Sequence, residues 1–92
     1  MNTISTDITR PQLQEWLVQR VSEYLEISPD DLDPDSPLAE IGLDSVYALA
    51  LSGDVEDAFG IAVEPTLAWD HPTITALAGG ILDDLHRAKA DR

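Results

Sequence analysis

Ser45 follows an aspartate where a polar stretch gives way to an apolar one, in the run Leu38-Ala-Glu-Ile-Gly-Leu-Asp-Ser-Val-Tyr-Ala-Leu-Ala-Leu51. A serine hydroxyl attacks a substrate if a nearby base takes its proton, and receives a group if a second enzyme activates it. Gly42 permits a tight turn, and Asp44 has the acceptor side chain that a helix N-cap uses. Ser45 then falls in the first helical turn, with its Oγ outside the packing face. The first-turn N–H groups have no intrahelical partners and sit at the positive end of the helix dipole, so a phosphate ester on Ser45 is favoured there. The charge on Asp44 opposes that preference. The plainer reading is that Asp44-Ser45 only caps a helix.

The other residues capable of chemistry are sparse. His71 precedes Pro72 in a connector, where it is biased away from helix, and His86 lies on a polar face near the end of the chain. Both read as structural or surface residues. A small hydrolase built on Ser45 would need a base beside it, and the chain has no Gly-x-Ser-x-Gly nucleophile elbow. Asp31, Asp33 and Asp35 have the one-three-five spacing of a calcium loop, but Ser36 and Gly42 occupy the places of its glycine and its closing glutamate. No dedicated metal site is expected, only weak divalent binding to a charged loop. With no cysteine in the chain, disulfides, thiolate nucleophiles and cysteine-ligated metals are excluded.

Composition narrows the partners. The chain has 92 residues, enough for one domain with a modest core, and 18 acidic residues against 5 basic ones give a formal charge of -13. That balance argues against nucleic acid and anionic membranes and favours basic protein surfaces, although it also serves simple solubility. The longest apolar run, Val46 to Leu51, falls far short of the roughly 20 residues that cross a bilayer, and the N-terminus has no leader pattern. A cytoplasmic monomer is expected.

The elements that position Ser45 follow from periodicity. After a polar tail over residues 1–8, Thr9-Arg10-Pro11-Gln12 has capping-box spacing, and Leu13, Trp16, Leu17, Val21, Tyr24 and Leu25 make an amphipathic helix ending near Ile27. Trp16 and Tyr24 read as core with a polar edge. The crossing from Ser28 to Asp44 carries three prolines and many acids, with Leu32, Leu38, Ile41 and Leu43 as anchors and one short helical turn capped around Ser28-Pro29-Asp30-Asp31. A second helix runs from Ser45 to Phe59, with Val46, Leu49, Ser52, Val55 and Phe59 expected inward. Tyr47, Ala48, Ala50 and Leu51 then form an exposed apolar strip, followed by acids at Asp54, Glu56 and Asp57. The alternative is that Tyr47 and Leu51 pack under the long loop. Gly60 to Pro65 is an extended crossing, and Thr66-Leu-Ala-Trp69 is one turn burying Leu67 and Trp69. Thr73 caps a last helix with Ile74, Leu77, Ala78, Ile81, Leu82 and Leu85 as its core stripe. Gly79-Gly80 permits close approach of a neighbouring helix or an acyl chain, Arg87 and Lys89 suit the negative helix end, and residues 88–92 are expected to fray.

The segments Leu38-x-x-Ile41-Gly42-Leu43-Asp44-Ser45-Val46-x-x-Leu49, Phe59-Gly60, Thr66-Leu-Ala-Trp-Asp-His-Pro-Thr73 and Ala76-Leu77-Ala78 resemble the acyl carrier proteins of polyketide and lipopeptide assembly. The resemblance covers about Leu13 to Leu85 and implies a fold that the periodicity also supports. That fold is all-α, a small four-helix bundle of three main helices plus a short third one, with a long first loop and the carrier domain over residues 9–87. It implies that Ser45 carries 4′-phosphopantetheine, attached from coenzyme A by a phosphopantetheinyl transferase, with Asp44 and Gly42 shaping the attachment site. It further implies that the protein is no enzyme, and that partners dock on Leu43, Val46, Tyr47, Ala50, Glu56 and Asp57. Asp44 matches acyl carriers better than peptidyl carriers. The segments Ala50–Asp57 and Thr66–Ile74 are similar to carriers loaded by a fatty acyl-AMP ligase, so the implied partners are such a ligase or an acyltransferase, and a ketosynthase or condensation enzyme of a polyketide or nonribosomal peptide pathway. The helix after Ser45 lacks the basic residue of many carriers embedded in modular synthases. An unmodified acidic helical adaptor for a basic protein is the reading from another class.

Overall fold

The structure, a computed structural model, describes residues 8–90, apart from the side chains of residues 89 and 90. Residues 1–7 of the expected tail over 1–8, the side chain of Lys89 and the end at residues 91–92 lie outside it.

Helix α1 spans Arg10–Leu25 and begins with the capping box read from the sequence: Thr9 Oγ1 accepts the Gln12 N–H at 3.3 Å, and Gln12 Oε1 accepts the Thr9 N–H at 2.9 Å. It stops two residues before Ile27. Glu26 turns to φ 57°, and the Ser22 carbonyl accepts the N–H groups of both Glu26 and Ile27. Glutamate gives no local signal for that left-handed turn, so periodicity alone runs the helix on to Ile27. Leu13, Leu17 and Val21 are buried, and Trp16 packs edge-on to Phe59 with ring centroids 5.2 Å apart. Tyr24 is not core: it stays 48% exposed, with one ring face stacked on Tyr47.

The long crossing is lashed down rather than loose. It contains the expected turn at Pro29–Asp31 and a second 3₁₀ turn at Leu38–Ile41, and it is anchored by buried Leu32, Leu38 and Leu43. Its backbone is tied to the start of the last helix. Leu38 N–H donates to the Pro72 carbonyl at 2.8 Å, Thr75 N–H to the Pro34 carbonyl at 3.1 Å, and Thr75 Oγ1 to Asp35 Oδ1 at 2.8 Å. Asp33 accepts the Asp35 N–H, so two of the three calcium-spaced aspartates are engaged in hydrogen bonds that hold the crossing. Thr75→Val keeps the side-chain volume and the backbone tie but removes the hydroxyl bond to Asp35. It is expected to lower stability by about 1 kcal/mol in denaturant unfolding, with an unchanged slope. An unaltered midpoint would show that the hydroxyl bond holds nothing down.

Helix α2 spans Ser45–Phe59, and Gly60 at φ 68° closes it. Ser52, Val55 and Phe59 face inward as expected, and the first half of the helix corrects the expected phase. Tyr47, Ala48, Leu51, Ser52, Val55 and Phe59 are buried, whereas Val46 is 70% and Leu49 60% exposed. The continuous apolar run from Val46 to Leu51 supplies two nearly equal phases, so periodicity cannot choose between them. Packing against α1, with Tyr47 stacked under Tyr24, does.

Helix α3, Leu67–Asp70, is a single turn in which Leu67 and Ala68 are buried, while Trp69 remains 47% exposed, against the expectation that it would be covered. So short a helix buries only its adjacent inward pair. Helix α4 spans Ile74–Ala90 and buries Ile74, Leu77, Ala78, Ile81 and Leu85, with Leu82 half-buried; it continues through residues 88–90, where fraying was expected. Thr73 Oγ1 accepts the Ala76 N–H at 3.0 Å, as a cap should. Arg87 pairs with Asp84 one turn away. α1 packs along α4, α2 packs against α3, and one apolar core runs through the bundle. No helix among the described residues is long and apolar enough to cross a membrane.

Candidate functional site

The chain approaches Ser45 through a turn that only glycine accommodates well. Gly42 has φ 120°, and a Cβ there would also come within 3.2 Å of Leu25 Cδ2. The Leu43 N–H then bonds the Leu38 carbonyl at 3.0 Å, and the Leu43 side chain enters the core. Asp44 is the N-cap: its Oδ1 accepts the Tyr47 N–H at 2.8 Å, and its carbonyl accepts the Ala48 N–H at 2.9 Å. Tyr47 is itself buried. Asp44, Ser45 and Val46 are thus three exposed residues held between two buried anchors. Ser45 is the first residue of α2, so its hydroxyl stands in water beside the positive end of a fifteen-residue helix whose first turn contains no acid.

Nothing in this arrangement makes Ser45 a catalyst. The Asp44 carboxylate is engaged by the Tyr47 N–H. His71 lies over α4, so close that a Cβ on Gly80 would meet its Nε2 at 2.5 Å, and His86 is exposed on α4. The close approach that Gly79-Gly80 was expected to permit is, at Gly80, the approach of this imidazole. Among the described residues, no histidine or carboxylate bonds the Ser45 hydroxyl, and no group of acids and histidines could hold a metal. The features that fit a covalently attached phosphodiester are an accessible hydroxyl, the first N–H groups of α2 ahead of the capped Tyr47 N–H, and a fixed backbone on both sides.

Of the expected docking residues, Val46, Ala50, Glu56 and Asp57 are exposed. Leu43 and Tyr47, expected at the surface, are instead buried, each as an anchor of the serine mount. Glu56 also accepts the Val63 N–H at 3.0 Å. Sequence reasoning misses Leu49, which the wrong helical phase turns inward. The signal that identifies it is the aromatic at position 47, since a helix cannot bury Tyr47 against α1 and Leu49 on the same arc at 100° per residue.

Known proteins with similar sequences and structures agree with this geometry. The family described as phosphopantetheine attachment site matches residues 15–81. A phenolphthiocerol/phthiocerol polyketide synthase of Mycobacterium tuberculosis is 41% identical over 66 residues, which are 72% of this chain and 4% of that one. The chain therefore spans only a small part of such relatives. A free-standing peptidyl carrier protein from a secondary metabolic pathway of Acinetobacter baumannii superposes with a TM-score of 0.79 at 38% identity, covering 83% of this chain and 95% of that one. The acyl carrier protein LipD of Actinoplanes friuliensis gives 0.73 at 40% identity, covering 95% and 97%. With an accessible serine at the start of α2, on a helical bundle matched to carrier proteins along most of its length, the chain belongs to the phosphopantetheine attachment site family.

Proposed function

We propose that Ser45 is the attachment point of 4′-phosphopantetheine and that the protein carries acyl groups for polyketide or lipopeptide biosynthesis. The observation that carries this reading is the exposed hydroxyl of Ser45 at the start of α2, fixed between buried Leu43 and Tyr47 inside the matched region. Asp44 sets the helix start, and Gly42 lets the crossing turn into it. The hydroxyl has no base of its own, so a phosphopantetheinyl transferase must activate it against coenzyme A. The attached group supplies the thiol on which an acyl chain is held as a thioester.

Asp44, residue types in the second helix and the names of the relatives support an acyl rather than an aminoacyl cargo, even though one similar structure is a peptidyl carrier. The segments Ala50–Asp57 and Thr66–Ile74 support loading by a fatty acyl-AMP ligase. Val46, Leu49 and Ala50 form an exposed apolar strip beside Ser45, and Glu56 and Asp57 extend it as an acidic one. Partner enzymes, including the ligase and a ketosynthase or condensation enzyme, read these residues in turn. Weak docking suits a carrier that must leave after each transfer.

The test is intact mass before and after incubation with coenzyme A and a broad-specificity phosphopantetheinyl transferase, with the modified peptide located by fragmentation. One phosphopantetheinyl increment on the peptide containing Ser45 is the expected result. A folded protein that gains no increment, with the transferase active on a control carrier, overturns the reading and leaves an acidic adaptor in its place.

A further inference from the structure

Two adjacent residues at the end of α1 touch the serine mount on either side of Ser45. Leu25 lies against Gly42, ahead of the serine, so closely that a Cβ on that glycine would stand 3.2 Å from Leu25 Cδ2. Tyr24 stacks on Tyr47, just after the serine, with ring centroids 3.7 Å apart and 7° between planes. The grip is made by packing alone. Tyr47 is 1% exposed, and its Oη is buried with no hydrogen-bond partner among the described residues, so no polar bond fixes the phenol in place. Tyr24 is the outer ring of the pair, half-exposed, and it shields the inner ring from water on that face.

The end of α1 is itself fixed. Glu26 takes φ 57°, which residues with a Cβ seldom adopt, and its N–H and that of Ile27 both donate to the Ser22 carbonyl. The helix therefore ends directly after Tyr24 and Leu25, with both held in its last turn.

What this does for Ser45 follows from the start of α2. Tyr47 N–H donates to Asp44 Oδ1 at 2.8 Å, and Ala48 N–H donates to the Asp44 carbonyl at 2.9 Å. These bonds close the turn that presents Ser45, but the end turns of helices fray where nothing beyond the cap holds them. Tyr24 supplies that hold. Without it, water reaches the Tyr47 ring, and an opened first turn lets the unpartnered phenol hydrate at the expense of the cap bond.

We propose that Tyr24 is a positioning residue for the acceptor serine: stacked on Tyr47, and with Leu25 set against Gly42, it keeps the first turn of α2 closed in the form that presents Ser45. Its bearing on arm attachment rests on the reading of Ser45 given above.

The test measures amide exchange and arm uptake on the full chain for the wild type, Tyr24→Ala, Tyr24→Phe and Leu85→Ala. Leu85 is buried in α4, and its neighbours Asp84 and Ala88 line a cavity with Gly60 and Val63, beyond the far end of α2 from Ser45. Leu85→Ala thus weakens the fold away from the mount. In Tyr24→Ala, the Tyr47 and Ala48 amides are expected to exchange roughly tenfold faster than in the wild type. The transferase KM for the carrier is expected to rise about fivefold with kcat within about twofold, since only molecules with a closed first turn are competent. Tyr24→Phe keeps the stack and restores both quantities. Leu85→Ala, assayed at a temperature where it is folded, moves neither. The proposal is overturned if Leu85→Ala raises KM as much as Tyr24→Ala does, if Tyr24→Phe fails to restore it, or if the two amides exchange in Tyr24→Ala as in the wild type. Exchange needs no arm. A wild type that takes up no phosphopantetheine sinks the reading of Ser45, and the two amides still decide whether Tyr24 holds the turn.

Discussion

Ser45→Ala is expected to abolish uptake of the phosphopantetheinyl increment completely while leaving unfolding free energy within about 0.5 kcal/mol of the wild type. The two halves of that result come from the same geometry. Ser45 is exposed at the first position of α2, and the cap bond is made by Asp44, so no structural contact is lost with its hydroxyl. Alanine is also the best helix former, which offsets any small change in solvation. If Ser45 were only a cap residue, the opposite pattern would be seen: stability would fall by about 1 kcal/mol and any labelling would be retained at another position. Intact mass and denaturant unfolding on the same pair of proteins separate these outcomes.

Phe59→Ala is the largest stability loss expected of a single core substitution, about 3–5 kcal/mol. Phe59 is 2% exposed, is the last residue of α2 and meets Trp16 of α1 edge-on at 5.2 Å. Truncation removes a large apolar area, opens a cavity and breaks the aromatic pair, itself worth about 0.5–1.5 kcal/mol beyond area. A domain of 92 residues has only some 5–14 kcal/mol in total, so the melting temperature is expected to fall by tens of degrees. A loss below about 2 kcal/mol would mean that α1 and α4 collapse into the gap, and that the pairing of Phe59 with Trp16 holds little of the bundle together.

Most of the architecture is legible in the sequence because it rests on local signals. The capping box at Thr9 and Gln12, the stop at Gly60, the cap at Thr73 and the 3.6-residue stripes of α1 and α4 each specify an element without tertiary help. The mount of Ser45 is legible for the same reason, since Gly42 and Asp44 act on their immediate neighbours. The departures share a different cause. In α2 nearly every residue from Val46 to Leu51 is apolar, so composition does not say which arc is inward, and an aromatic stack across two helices decides it. Periodicity therefore puts Leu49 and Val46 in the core and Tyr47 on the surface, the reverse of what the bundle does. Trp69 and Tyr24 depart from expectation because large aromatics are assumed to be covered, whereas α3 is a single turn and Tyr24 is stacked on Tyr47 while its other face stays open. The left-handed Glu26 has no sequence signature at all.

The ties between the long crossing and the start of α4 join residues far apart in the chain: Thr75 reaches back 41 residues to Pro34 and 40 to Asp35, and Arg10 bonds the Thr75 carbonyl across 65. Such pairings close late, because the entropy of a long loop must be lost before they form. The turn and cap around Ser45 rest on local bonds and can form before α4 fastens the crossing. A transferase that reads the folded surface around Ser45 therefore needs α4 in place. A chain ending at Thr73 is expected to take up little or no arm even though it contains Ser45 and everything around it in sequence. Uptake equal to that of the full chain would show that the serine is recognised as a linear motif. On the proposed reading, modification at Ser45 therefore reports that α4 has docked against the crossing.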